Sequence, residues 1–193
     1  MKPLAAHGGA AADLIWACAA AWSVFELVLA IRAGRGGGRD RSFIPLTVSV
    51  VGGLALGLAA SRGVQSLALP GPGWWPIAVG VPVFALGLGL RAWAFHVLGR
   101  FFKFTVVVQP GHEVVDTGPY RVIRHPSYTG LLTAELGLGI ALGTWLSLPA
   151  CVLPPLIAFS VRLLTEEQVL ARELGAPYRA YMASTKRLIP GIW

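Results

Sequence analysis

The chain has 193 residues, 55% of them hydrophobic and 13% charged, with a net charge of +7 and a mean hydropathy of +0.65. A soluble domain carries about 25% charged residues, so this composition excludes an ordinary water-soluble domain and points to an integral membrane protein. The basic residues sit in short loops beside apolar runs, as the positive-inside rule expects, which argues against a nucleic-acid partner.

The first apolar run extends from Ala10 to Ile31, the second from Phe43 to Ser61 and the third from Trp74 to Leu98. Ahead of the first stands a single Lys2 with no small-residue cleavage site, so this run reads as a retained helix rather than a removed signal. A fourth run covers Tyr128 to Leu148 and a fifth Pro149 to Leu164. A helical span needs ~20 residues, which the first four satisfy. The fifth contains Pro154-Pro155, predicting a kink or a late start, and continues as a helix into the polar stretch Thr165 to Leu174.

The expected fold is therefore all-α and membrane-integral, with about five transmembrane helices in a single domain: three N-terminal spans in 1–98, then a polar half in 99–193. Cys18 and Cys151 stand alone in apolar runs and read as packing residues. Gly53 and Gly57, Gly139 and Gly143 form small-xxx-small pairs, and Gly130 and Gly137 add small residues to the fourth run, all suited to close helix packing.

Arg32, Arg35, Arg39 and Arg41 crowd the first loop, against Arg62 alone in the second; Arg100, Lys103, Arg121 and Arg124 follow in the third. The turn near Gly143 to Pro149 is uncharged and the tail holds Arg172, Arg179, Lys186 and Arg187. That alternation predicts the N-terminus outside and the C-terminus in the cytoplasm. The Ala-, Gly- and Arg-rich composition suggests a bacterial inner membrane.

Two polar islands carry the chemistry. Residues 99–127 form a connection longer than about 12–15 residues, a length usually kept for function. It includes the aromatic and β-branched stretch Phe101 to Val108, the turn Gln109-Pro110-Gly111-His112 and the tight turn Gly118-Pro119. His125-Pro126 then opens the fourth helix, with Pro126 near the first position where a missing N–H costs nothing. Free backbone N–H groups, His125 and Tyr128 at that helix end suit an anionic ligand group. In the second island Arg162 and Glu166 share a helix face at four-residue spacing, and Glu167 lies about 100° round. Charges where a span meets the interface tend to be functional. Glu135, seven residues beyond Tyr128, either lines a substrate tunnel or makes a structural hydrogen bond. Arg91 reads as snorkelling.

Gly118-Pro119-Tyr120-Arg121, Arg124-His125-Pro126-Ser127-Tyr128-Thr129-Gly130, Glu166-Glu167 with Leu170, Gly175, Tyr178, Tyr181 and Lys186-Arg187-Leu188-Ile189-Pro190 form an ordered series. Over residues 95–190 it resembles the isoprenylcysteine carboxyl methyltransferase family and its bacterial relatives. The resemblance implies S-adenosylmethionine held in a cytoplasmic cap built from the loop before the fourth helix and the C-terminal segment. The lipid acceptor would enter from the bilayer. It implies cofactor contacts from Gln109, Gly118, Tyr120, His125, Pro126, Tyr128, Glu167 and Tyr178, and catalytic roles for Arg162 and Glu166. Glu135 is expected in the substrate tunnel from its position on the Tyr128 face, and no Cys/His motif for a metal is present.

A carboxylate acceptor is already ionised near pH 7 and needs no base; Arg162 would orient it through its two-pronged guanidinium. A phenol or amine would use Glu166, Glu167 or His125 as base. Lipid N-methylation, an NADPH-dependent sterol-reductase-like activity and a non-catalytic membrane scaffold are the alternatives.

Overall fold

The computed structural model describes residues 9–33, 43–63, 65–101, 111 and 113–193. Among these the regular structure is helical, with two isolated β-bridges and no strand. Helices α1 (Ala10–Ala33), α2 (Phe43–Gly63) and α3 (Trp75–Leu98) coincide with the first three apolar runs. They are followed by α4 (Pro126–Ala141), α5 (Ser147–Glu173) and α6 (Ala176–Ser184).

The tightest pair is α3 with α4. Gly80 and Gly87 on α3, and Gly130 and Gly137 on α4, are each seven residues apart, so every pair marks one stripe two turns long. A β-carbon added to Gly87 would lie 2.4 Å from the Ala134 nitrogen and 2.5 Å from the Gly130 oxygen. One on Gly137 would lie 2.3 Å from the Phe84 nitrogen and 2.7 Å from the Gly80 oxygen. Backbone therefore packs directly on backbone, which only glycine permits. Gly53 and Gly57 on α2 similarly face Ala150, Cys151 and Ser147 of α5, and Gly139 faces Ser147 and Leu148.

The fourth apolar run is not one helix. Helix α4 stops at Ala141, giving 16 residues and a length of about 24 Å, short of the ~20 residues that cross a bilayer. The break comes from Gly143, whose φ of 75° is left-handed, and from a strand-like contact with the segment after α2. There Leu69 N–H donates to Gly143 O at 2.9 Å, and Trp145 N–H to Leu67 O at 2.9 Å. Gly143 is thus a turn residue, not half of a packing pair. Helix α5 starts earlier than the proline-based expectation, because Thr144 and Ser147 cap it reciprocally. The Ser147 N–H donates to Thr144 Oγ1 at 3.1 Å and the Thr144 N–H to Ser147 Oγ at 3.3 Å. It runs 27 residues, through Pro154 and Pro155 and on into the polar stretch as expected.

Cys18 and Trp22 of α1, Phe84 of α3, Leu131, Ala134 and Leu138 of α4 and Phe159 of α5 form the main buried cluster. The outer surface is also apolar: Val48, Leu86, Ile157 and Val161 are 64–68% exposed, an arrangement that water penalises and lipid does not. Among the described residues, α3 and α5 are long and apolar enough to cross a membrane.

Candidate functional site

The segment ahead of α4 and the C-terminal tail are stitched together by backbone. Arg124 N–H donates to Lys186 O at 2.8 Å and His125 N–H to Arg187 O at 3.0 Å, beside a parallel bridge between Ile123 and Lys186. The Thr129 hydroxyl donates to Leu188 O at 2.8 Å, and the Tyr181 hydroxyl to Tyr120 O at 2.6 Å. Regions some 60 positions apart in the chain so form one wall.

Glu167, on the polar continuation of α5, locks that wall from below. Its Oε1 accepts from Arg124 Nε at 2.7 Å and lies 3.3 Å from His125 Nε2, while Oε2 accepts from Arg187 Nε at 3.0 Å. Arg124 additionally donates to the carbonyls of Met182 and Thr185. Burial pushes the Glu167 carboxyl up, but hydrogen bonds from His125, Arg124 and Arg187 outweigh it and hold it down at about 2. The carboxylate is accordingly ionised at neutral pH and acts as an acceptor of hydrogen bonds, not as a base.

Beside this lock lies a second polar group. Tyr128 is sandwiched between the His125 ring, at 5.5 Å and 8° interplanar angle, and Phe159, at 4.7 Å and 21°. Its hydroxyl donates to Glu166 Oε2 at 2.7 Å and accepts from Arg162 Nε at 3.0 Å. The shared face expected for Arg162 and Glu166 is seen, but the phenol stands between the two charges. Tyr128 and Glu166 are half-buried and Arg162 is buried.

The first turn of α4 differs from the expected anion site. Tyr128 and Thr129 N–H both donate to His125 O, at 3.0 and 3.1 Å, and Pro126 has none, leaving only Ser127. Arg91 differs too: it is buried, not snorkelling, and its Nη1 donates to Ser127 O at 3.2 Å and Ser127 Oγ at 2.7 Å, with the guanidinium over the Phe95 ring at 4.7 Å. It ties α3 to the turn that carries Tyr128. A line through Gly80, Gly87, Arg91 and Ala94 runs along one α3 face, and that spacing is the signal that identifies it. Arg91→Ala is expected to lower stability by about 1–3 kcal/mol, read as a lower midpoint of thermal unfolding in detergent.

Of the other residues predicted from the sequence, Pro126 is buried at the start of α4 and Tyr120 is buried in the wall. Gly118 turns with φ 56°, and a β-carbon there would meet Val97 at 2.9 Å. Tyr178 is buried against Tyr181, ring centroids 5.9 Å apart; burial, then Glu167 and Glu166, push its phenol well above the ordinary range, so it stays a donor. Gln109 and His112 lie outside the described residues. Glu135 is fully buried on α4, away from this group, and the structural hydrogen bond considered for it is absent among the described residues. A cleft of about 460 Å³ is lined by Asp116, Arg121, Pro177, Tyr181, Ser184 and Thr185.

A profile of the phospholipid methyltransferase family matches residues 75–176, more than half of the chain, and the chain belongs to that family. Within it the similarity runs to isoprenylcysteine methyltransferases. Protein-S-isoprenylcysteine O-methyltransferase B of Arabidopsis thaliana is 29% identical over 119 residues, covering 61% of this chain and 60% of that protein. The Tribolium castaneum protein-S-isoprenylcysteine O-methyltransferase is 32% identical over 120 residues, 61% of this chain and 43% of that one. A solved structure of the eukaryotic intramembrane Ras methyltransferase, isoprenylcysteine carboxyl methyltransferase, superposes with a TM-score of 0.61 at 26% identity, over 80% of this chain and 54% of that one. The chain thus spans about 60% or less of the length of these relatives.

Proposed function

We propose that the protein is a membrane-integral methyltransferase that uses S-adenosylmethionine to methylate an oxygen of a lipophilic acceptor, an isoprenylcysteine-like carboxylate or a phenolic or isoprenoid lipid. The names of its relatives support the reaction class. The observation that carries the reading is the Tyr128 hydroxyl, held between Arg162 and Glu166 on an aromatic stack, at the seam of loop and tail.

Those residues fit such a donor. A sulfonium nucleotide presents a positive sulfur, a purine face and an amino-acid end. The Glu166 carboxylate suits the positive centre, and the buried seam of Tyr120, His125, Pro126 and Tyr178 offers aromatic surface beside hydrogen-bonding groups. Gly118 is assigned to the same proposed cofactor wall, and Gln109, outside the described residues, is proposed as a cofactor contact from the sequence. When bound, the donor supplies an electrophilic methyl group, so the protein's task is alignment and the exclusion of water.

Arg162 orients an acceptor carboxylate with its guanidinium; its Nε–H, which now donates to Tyr128, is released or shared as the acceptor arrives. For a phenol or amine, Glu166 receives the proton through the Tyr128 hydroxyl. Glu167 takes no part in proton transfer because three partners hold it ionised, and it positions His125. The profile's description as a phospholipid methyltransferase, together with the accessible Glu166, favours amine methylation as the second reading. The arginine-rich loops of the sequence support a seam on the cytoplasmic face of a bacterial inner membrane, with about five helices in the bilayer.

Incubating membranes that contain the protein with methyl-labelled S-adenosylmethionine is expected to transfer label to an organic-extractable lipid, as a base-labile ester for a carboxylate acceptor. Label on a lipid amine would replace O-methylation by N-methylation, and no label above that of empty membranes would reject the reading. Tyr128→Phe keeps the stack and removes the hydroxyl between Arg162 and Glu166. For a phenol or amine acceptor it is expected to lower kcat/KM by about 10²-fold, in the range of one lost acid–base group, and for a carboxylate, which needs no base, by less, measured in the same assay.

A further inference from the structure

Glu135 lies on α4 two turns from Tyr128 on a similar face, about 10 Å further into the bundle. It is 0% exposed, and neither carboxyl oxygen has a hydrogen-bond partner among the described residues. Its helix neighbours Leu131, Ala134 and Leu138 belong to the main apolar cluster, with Trp22 and Phe159. An unpartnered polar group in such surroundings is costly, so its presence asks for a partner that comes and goes.

The adjoining stretch of α5 has the same character. Gly139, one turn after Glu135, faces Ser147 and the Cys151 β-carbon. Because α4 and α5 run in opposite directions, Glu135 itself falls level with Cys151 to Pro155. Pro154 and Pro155 bring no N–H, so the carbonyls of Ala150 and Cys151 lose their usual helical donors. Gly53 of α2 approaches these two carbonyls; a β-carbon there would stand 3.0 and 3.1 Å from them. Glu135 and these two carbonyls therefore lie at one level of the bundle.

We infer that this level is a second polar contact for the acceptor. Glu135, as an uncharged acid offering one O–H and one carbonyl oxygen, binds a hydrogen-bonding oxygen carried within the acceptor's apolar chain, about 10 Å from the methylated atom. The acceptor class this selects is an oxygenated lipid, such as a keto-, hydroxy- or ether-bearing isoprenoid or polyketide chain, in preference to a plain hydrocarbon tail. The inference rests on the proposed methylation of a lipophilic acceptor.

The test compares binding of two probes to the purified full chain in detergent: N-acetyl-S-farnesylcysteine, and an analogue with one ether oxygen about 10 Å from the carboxylate. The wild type is expected to bind the ether analogue at least 10-fold more tightly. Glu135→Leu is expected to erase that difference, and Glu135→Gln, which keeps a donor and nearly the same shape, to retain part of it. Equal affinities in the wild type, or a preference that survives Glu135→Leu, overturn the inference while leaving the methylation reading intact. Binding of neither probe, with S-adenosylhomocysteine still bound, overturns both the lipophilic-carboxylate acceptor and this contact. If Glu135→Leu does not yield a monodisperse protein, the wild-type ratio and Glu135→Gln decide the matter.

Discussion

Replacing Glu167 by alanine is expected to abolish methyl transfer and to destabilise the protein by about 3–5 kcal/mol, the range seen when one partner of a buried ion pair is removed. The reason is local. Arg124 is 7% exposed at its side chain, and without Glu167 its guanidinium keeps only carbonyl partners. The tail is held to the α4 entry by Arg124 and Arg187 acting on that one carboxylate, so both the lock and the position of His125 fail together. Glu167→Gln keeps the shape and one acceptor oxygen but no charge, and should fall between alanine and wild type. Thermal unfolding in detergent, with donor-product affinity measured on the folded fraction, separates the two losses.

The same carboxylate gives a pH dependence of definite sign. Its folded value is held at about 2, below the ordinary 4.5. A depressed carboxyl contributes stability that is fully present above the unfolded value and is lost as pH falls toward the folded one. The wild type should therefore lose stability between about pH 4.5 and 2, and Glu167→Gln should lose less over that window.

The second large effect is expected at Gly87. A β-carbon there meets α4 backbone at 2.4 Å and 2.5 Å, and backbone cannot step aside as a flexible side chain would. Gly87→Ala must therefore separate α3 from α4, displacing Arg91 from Ser127 one turn further along. Overpacking costs about 1–3 kcal/mol even where neighbours can adjust, so most of the protein is expected to elute aggregated on gel filtration in detergent. Gly89, two residues on, has nothing within 4 Å. Gly89→Ala is expected to behave as wild type or better, since alanine favours a helix by about 1 kcal/mol over glycine.

These pairs also mark what could be read from the residues alone. Apolar runs located α1, α2 and α3 to within a few residues, because a span must satisfy its own backbone and so announces itself as a continuous segment. The end of α4 was hidden inside such a run: Leu142 to Leu146 are apolar enough to continue a helix, and only the pairing of Thr144 with Ala68, a contact across the fold, shows otherwise. Spacing put Arg162 and Glu166 on one face, and the motif brought Tyr128 near them. Neither could reveal that the phenol would separate them. Glu167 drew attention as a neighbour of a ligand, whereas its partners Arg124 and Arg187 lie 43 and 20 positions away, beyond any local pattern. Arg91 was read from its closeness to a helix end, although its position in the glycine line of α3 carried the better signal.

Methyl transfer as proposed requires the seam between the α4 entry and the tail to hold a sulfonium nucleotide. Calorimetric titration of the detergent-purified protein with S-adenosylhomocysteine, and separately with NADPH, addresses this directly. Saturable one-to-one binding of the first, weakened at least 10-fold by Tyr128→Ala, together with no heat from the second, is the predicted result. Binding of NADPH alone would assign the bundle to reductase chemistry, and binding of neither by a monodisperse, folded sample would contradict the account.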